Sequence, residues 1–190
     1  MTTQQRRWIL GGGLASGKSV VRRALGEAGI ATIDADAIGH AVLEPDGPAF
    51  EPVSARWPSV VSDGRIDRRA LAGIVFEDPD ELAELEGMTH PHIFDMIRRR
   101  VEQINGPVVV EMPVTGERLM VTWRRVVVDA RDDAKLRRAA DRGMDEEDAR
   151  GRLAAQPTRA EWLAIADLVI PNHSSLDELT SAVDEIVSRL

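Results

Sequence analysis

A glycine-rich segment near the N-terminus carries the clearest chemical signal in this sequence. It fits the spacing glycine, four residues, glycine, lysine, serine. Small residues let successive backbone N–H groups turn inward around an anion, and the helix that follows directs its positive dipole end at the same charge. The lysine would serve the β- and γ-phosphates of a nucleotide, and the serine hydroxyl would ligate Mg²⁺. This phosphate loop, residues 12–19, consists of Gly12, Gly13, Leu14, Ala15, Ser16, Gly17, Lys18 and Ser19.

The residues that flank the phosphate loop separate this interpretation from a chance glycine-rich turn. Trp8, Ile9 and Leu10 predict a short apolar strand before the loop, and apolar residues with helical spacing follow it. Nearly all basic residues of the chain are arginine, yet a lysine stands where a compact ammonium is required. The strand, loop and helix together therefore predict a nucleotide-phosphate site.

Acidic residues follow the predicted strands, at the sheet edge where parallel α/β proteins bind ligands. Residues 30–33 predict a buried strand that delivers Asp34 and Asp36. Strand alternation points both side chains the same way, unless Asp36 already caps the next helix. The pair is interpreted as a catalytic base with a Mg²⁺-shell carboxylate, or as a turn with a helix cap. Glu111 and Asp129 end two strands predicted to be neighbours, where a Mg²⁺-bound water, a cap and an ion pair all stay open.

A long helical insertion is predicted between the second and third strands. Residues 58–64 are predicted to form a loop within it. A helix over residues 79–88 is predicted to break at His90-Pro91 before another helix over residues 93–104. So much helix between two strands indicates a separate substrate-holding lobe.

A second helical segment, over residues 132–156, is highly charged and broken at Gly143. Arg138 and Arg142 lie four residues apart on one predicted helix face, which suits joint contact with phosphate. A mobile, arginine-bearing helical pair near a phosphate loop is what a closing lid requires.

Composition limits the possible partners of the chain. Its 190 residues suit a single domain, and a formal net charge of −8 argues against general nucleic-acid binding. No apolar run approaches the length of a membrane span, and cysteine is absent. These properties are compatible with a cytoplasmic enzyme that has neither membrane nor nucleic-acid partners.

The order of predicted elements is β-α-β, a helical lobe, two strands, a helical lid, a strand and a final helix. Alternating strands and helices of this kind form an α/β fold, in which a parallel sheet is covered by helices on both faces.

The chain resembles the dephospho-coenzyme A kinase family along nearly its whole length. The phosphate loop carries the resemblance together with a series of shorter motifs whose order and spacing are typical of the family. These motifs are Ile33-Asp34-Ala35-Asp36, Val42-Leu43-Glu44-Pro45, Gly64-Arg65-Ile66-Asp67-Arg68, Thr89-His90-Pro91-His92-Ile93, Arg138, Arg142, Ala154-Ala155-Gln156, Ala166-Asp167-Leu168-Val169-Ile170 and Asn172.

The resemblance implies a P-loop NTPase fold of three layers with a parallel five-stranded sheet. It implies transfer of a phosphoryl group from ATP, with Mg²⁺, to the ribose 3′-hydroxyl of dephospho-coenzyme A. Asp36 would be the base, Lys18, Arg138 and Arg142 would be catalytic, Ser19 would bind the metal, and Asn172 would lie near the adenine. A monomer or weak homo-oligomer is expected, as one domain with a core (residues 6–36, 105–131 and 166–190), a coenzyme A lobe (about 37–104) and a lid (about 132–165).

The chain departs from the usual family residues at several positions. Gly11 stands in place of threonine, and Lys135 in place of glutamine. Residues 114–116 replace a leucine-rich run, and Pro171 replaces an aspartate. Two alternatives therefore stay open: a P-loop kinase of another nucleotide or small metabolite, and a nucleotide-binding regulatory protein without transfer activity.

Overall fold

The computed structural model of the chain describes residues 7–112, 122–173 and 176–190. It divides into two compact units, Met1–Asp34 with Ile104–Leu190, and Ala35–Gln103. In chain order the elements are β1 (Arg7–Gly11), α1 (Lys18–Glu27), β2 (Ala31–Asp34), α2 (Ala35–Ala41), α3 (Phe50–Arg56), a short 3₁₀ helix (Pro58–Val60), β3 (Val61–Ser62), β4 (Arg65–Ile66), α4 (Arg68–Val75), α5 (Pro79–Glu102), β5 (Val108–Glu111), β6 (Arg124–Asp129), α6 (Asp132–Asp141), α7 (Glu146–Ala154), α8 (Arg159–Ala164), β7 (Leu168–Pro171) and α9 (Leu176–Val187).

The first unit is built on a five-stranded sheet of order β2-β5-β1-β6-β7. Each neighbouring pair of strands is parallel, which confirms the fold class predicted from the sequence. The strands are apolar because the sheet is buried between helices. The valines of β5 and β6 are almost fully enclosed. The core joins the sheet to α1 and α9 and includes Trp8, Leu10, Val21, Leu25, Val109, Val126, Val128, Ile170, Leu179 and Val183.

The sheet order corrects one expectation about the carboxylates. Glu111 and Asp129 do not end neighbouring strands, because β1 lies between β5 and β6. Asp34 and Glu111 are instead the paired residues at the ends of β2 and β5. Asp36 does not continue the strand alternation, since α2 already begins at Ala35.

The second unit is helical, and α5 packs against α2, α3 and α4. The predicted break at His90-Pro91 is wrong, because α5 runs without interruption from Pro79 to Glu102 with Pro91 inside it. Proline removes one helical hydrogen bond, but burial of Ile97 and Val101 on the same helix keeps the segment together.

The loop predicted over residues 58–64 is also wrong in detail. β3 and β4 form a small antiparallel hairpin, in which Val61 pairs with Ile66. Its turn residues Asp63 and Gly64 have φ values of 50° and 71°. An Asp-Gly pair favours this left-handed turn, so the signal was present in the sequence.

The helical pair predicted over residues 132–156 is confirmed as α6 and α7, and a third helix, α8, follows it before β7. The predicted break at Gly143 is confirmed: α6 ends just before it, and Gly143 has a φ of 80°. The departures at residues 114–116 lie outside the described residues. None of the described helices is both long and apolar enough to cross a membrane.

Candidate nucleotide-binding site

The phosphate loop joins β1 to α1 and has the backbone of an anion cradle. Gly12 has a φ of 140°, and a Cβ atom there would lie 2.8 Å from the carbonyl oxygen of Val128. Gly17 has a φ of 105°, and a Cβ atom there would collide with the side-chain amide of Asn172. Only glycine satisfies both positions, because each combines a positive φ with close packing against Val128 or Asn172.

The start of α1 is arranged to receive negative charge. No side chain caps this helix, and its first turn contains no acidic residue. The Lys18 ammonium folds back onto the loop and donates to the carbonyl oxygens of Gly12 and Gly13, at 2.6 and 3.1 Å. Ser19 is exposed one residue later. The positive helix end, the lysine and the hydroxyl therefore lie together, as phosphate and Mg²⁺ binding require.

The Ser16 hydroxyl also indicates that the loop binds a polar ligand. Ser16 is fully buried, and its Oγ atom has no hydrogen-bond partner within the described part of the chain. Buried hydroxyls are normally bonded, so a ligand or water at the loop fits this atom.

Arg138 and Asn172 brace the phosphate loop from behind. The amide of Asn172 donates to the Ser16 carbonyl oxygen at 2.7 Å. The Arg138 guanidinium donates to the side-chain and backbone oxygens of Asn172, at 3.0 and 3.2 Å, and lies 3.5 Å from the Ser16 carbonyl oxygen. Arg138 therefore contacts the phosphate loop from α6, and its predicted contact with phosphate stays a prediction.

Arg142 lies elsewhere on the same helix. It is exposed at the end of α6 and lines a cavity of about 350 Å³ together with Leu14, Ala15, Ala139, Gly143, Met144, Asp145 and Asp148. Arg138 lines a different cavity, of about 370 Å³, beside His173. Both arginines are near the phosphate loop but face different spaces, so joint contact with one phosphate stays a prediction.

On one side of β1, an arginine that sequence reasoning missed organises the carboxylates. Arg22 pairs with Asp34 at 3.0 Å and with Glu111 at 2.5 Å. It lies four residues after Lys18 and therefore on the same face of α1, which was the available signal. Asp34 and Glu111 therefore form an ion-paired cluster with Arg22, which for Glu111 is one of the alternatives left open.

On the other side of β1, Asp129 is buried and heavily bonded. Arg159 of α8 donates to both its carboxylate oxygens, at 2.6 and 2.7 Å, and His173 Nε2 lies 3.2 Å away. The hydrogen bonds from Arg159 hold the pKa of Asp129 below its ordinary value, and the charges of Arg159, His173 and Lys135 add to this. Asp129 therefore anchors α8 through charge-assisted hydrogen bonds.

Two further side chains approach the loop from the helical segment 132–165. Gln156 accepts a hydrogen bond from the Leu14 N–H at 2.7 Å. Trp162 is buried against Gly11, where a Cβ atom would lie 2.7 Å from the indole atom Cζ3. The bulk of Trp162 thus explains why glycine occupies position 11.

Asp36, the predicted base, belongs to the second unit. It is exposed and is the second residue of α2. Its role as the base stays a prediction.

Comparisons with known proteins agree with this architecture. The dephospho-CoA kinase family profile matches residues 8–178. A dephospho-CoA kinase of Streptomyces avermitilis is 39% identical over 184 residues, which cover 93% of this chain and 90% of that protein. A crystal structure from Thermus thermophilus has a TM-score of 0.85 at 29% identity and covers 98% of each chain. The dephospho-CoA kinase of Campylobacter jejuni shares the fold, with a TM-score of 0.67 at 24% identity over 98% of this chain and 97% of that one. The phosphate loop, the sheet that carries it and these matches together show that the chain belongs to the dephospho-CoA kinase family.

Proposed function

We propose that this chain transfers the γ-phosphoryl group of ATP to the ribose 3′-hydroxyl of dephospho-coenzyme A and so forms coenzyme A. Family membership implies ATP use. The observation that carries the proposal is the phosphate loop itself, where an uncapped helix start and Lys18 converge on one concave backbone. Such a site serves phosphoryl transfer by positioning and charge stabilisation more than by covalent chemistry.

In the proposed reaction the acceptor 3′-oxygen forms a bond to the γ-phosphorus, and the bond from that phosphorus to the β–γ bridging oxygen breaks. Asp36 accepts the hydroxyl proton, and ADP leaves with the bridging oxygen. Lys18 exchanges its loop carbonyl partners for phosphate oxygens, and Arg138 and Arg142 stabilise the charge that develops. Asn172 lies beside the adenine.

The described residues contain no group of three or more acidic or histidine side chains that could hold a metal alone. The Ser19 hydroxyl, exposed at the start of α1, would hold Mg²⁺ together with the nucleotide phosphates. When bound, the ion neutralises phosphate charge.

The remaining assignments belong to the same proposal. Residues 37–104 would hold coenzyme A and residues 132–165 would close over ATP. The enzyme would work in the cytoplasm as a monomer or weak homo-oligomer, with dephospho-coenzyme A as its small-molecule substrate.

A coupled assay of ADP release tests the proposal. We expect release that depends on dephospho-coenzyme A and does not occur with nucleoside monophosphates or shikimate as acceptors. Lys18→Ala should lower kcat by about 10²-fold or more, the scale of a lost transition-state contact. Asp36→Asn should preserve ATP binding but depress transfer, whereas Asp46→Asn, an exposed aspartate of the same unit, should change neither.

Each contrary result has a defined meaning. Transfer to a different acceptor would identify another P-loop kinase. ATP binding without acceptor-dependent ADP would indicate a regulatory nucleotide-binding protein. Equal loss of binding and transfer in Asp36→Asn would assign that residue to structure or metal binding instead.

A further inference from the structure

Lys135 is one of the few charged side chains of the described residues that are buried. It is 4% exposed and lies on the first turns of α6. A Cβ atom on Gly13 would lie 3.2 Å from its Nζ atom and 3.5 Å from its Cε atom. The ammonium therefore stands directly against the phosphate loop. Lysine is almost never buried unless it is paired, so its partners decide what it does.

The direct partner of this ammonium is a carboxylate at the surface. Lys135 Nζ lies 3.0 Å from Asp132 Oδ1, and the Asp132 side chain is 68% exposed while that of Lys135 is 5% exposed. The other nearby carboxylate, Asp129, already has the bidentate bond from Arg159 and the contact with His173. The Asp132 carboxylate is in contact with water, so it stays hydrated when Lys135 turns to another partner.

The geometry of α6 relates Lys135 to a residue that already contacts the loop. Arg138 lies three residues later on the same helix face and reaches the Ser16 carbonyl. Lys135 reaches the loop nearer its start, at Gly13, where Gln156 Oε1 also lies 3.4 Å from the same Cβ position. One helix face thus places two cations against the loop, at Gly13 and at Ser16.

We propose that Lys135 is a second lysine of the phosphate site, which exchanges Asp132 for a phosphate oxygen of the bound nucleotide. This inference rests on the proposed function, since it requires ATP on the loop. A glutamine at this position could fill the space and bond Asp132 without a charge. A buried ammonium costs more desolvation than a neutral amide, and a phosphate of the ligand repays it.

Binding of nucleotides with different numbers of phosphates distinguishes this role from a structural one. Dissociation constants for ATP, ADP and AMP are measured by calorimetry on the full chain. Lys135→Gln should weaken ATP binding about tenfold, as expected for one lost hydrogen bond to a charged group, and AMP binding less than about twofold.

Asp132 supplies a test of opposite sign. Asp132→Asn removes the competitor for the ammonium, so it should tighten ATP binding about two- to threefold. Asp133→Asn is the matched control: it removes the same charge one residue away, from an aspartate that pairs with Arg131 and Arg137 at the surface. It should leave ATP binding unchanged.

The inference is overturned if Lys135→Gln binds ATP like wild type, or if it weakens AMP and ATP equally, because a merely structural residue would affect both. It is also overturned if Asp133→Asn tightens binding as much as Asp132→Asn. If the wild-type chain binds ATP and transfers phosphate while Lys135→Gln matches it, only this inference fails. Wild-type protein that binds no ATP overturns the proposed function as well.

Discussion

The charged clusters on the two sides of β1 have opposite ratios of acidic to basic side chains. Toward β5, two carboxylates, Asp34 and Glu111, share the single guanidinium of Arg22. Toward β6, one carboxylate, Asp129, is shared by Arg159 and His173. Acids outnumber bases in the first cluster, and bases outnumber acids in the second.

The two clusters also differ in burial. Arg22 and Asp34 are 30% and 32% exposed, whereas the Asp129 side chain is 7% exposed. A partly solvated acidic cluster suits a cation or a proton, and a buried carboxylate with two oxygens bonded suits a fixed anchor. We therefore predict that a change to the β5-side cluster affects activity more than a change to the β6-side cluster. The β6 side holds the helical segment 132–165 in place beside the loop.

The largest effect should come from the acidic side. Glu111→Gln keeps the shape of the side chain but removes the charge that holds Arg22 and that we expect to hold a Mg²⁺-bound water. We expect kcat and the affinity for Mg²⁺ in the presence of ATP each to fall about 10- to 100-fold. This is the range typical of residues that support a metal ligand. Steady-state kinetics and calorimetry with a Mg²⁺ titration measure both.

Glu27→Gln, an exposed residue on the same helix as Arg22, is the control and should behave like wild type. A Glu111→Gln variant with normal kinetics but a lowered melting temperature would show that the β5-side cluster is structural, like the β6-side cluster. The predicted difference between the two clusters would then be wrong.

The next largest effect should come from the buried side. Asp129→Asn loses its charge-assisted bonds to Arg159 and should cost about 2 kcal/mol of unfolding free energy at pH 7. Because the folded state lowers the pKa of Asp129, this stabilisation is complete above the unfolded pKa and is lost as the pH falls through the folded pKa. Urea unfolding at a series of pH values should therefore show the gap between wild type and variant closing in acid.

Asp148→Asn breaks an exposed pair with Arg152 and should cost under about 1 kcal/mol at any of these pH values. A gap for Asp129→Asn that does not depend on pH would show that lost packing, rather than charge, causes the destabilisation.

The smallest effect concerns the packing of α8 against the end of β1. Gly11→Thr places a Cβ atom against Trp162, so we expect a loss of about 1 kcal/mol of unfolding free energy from overpacking. Trp162→Leu should relieve this, and a double-mutant cycle should give a coupling of about 1 kcal/mol between the two positions. Additive effects would mean that Trp162 moves away at no cost and does not fix α8.

Much of the fold could be predicted because its signals are local. Runs such as Val108-Val109-Val110 are β-branched and continuous, which indicates a buried parallel strand wherever it lies in the sheet. Local signals were misread where packing competes with them: Pro91 should end a helix, yet the contacts of α5 keep it continuous. The hairpin turn at Asp63-Gly64 was local too, and it was overlooked.

The sequence by itself determined the phosphate loop, because an anion cradle needs a contiguous set of small residues, a lysine and a helix start. Only the tertiary structure decided which charges surround it. Arg22 meets Glu111 across 89 positions of the chain, and Leu14 meets Gln156 across 142. The order of strands sets such contacts, since it determines which strand ends lie beside the loop. For the same reason Lys135, a single departure in the sequence, becomes a candidate ligand only when α6 places it against Gly13.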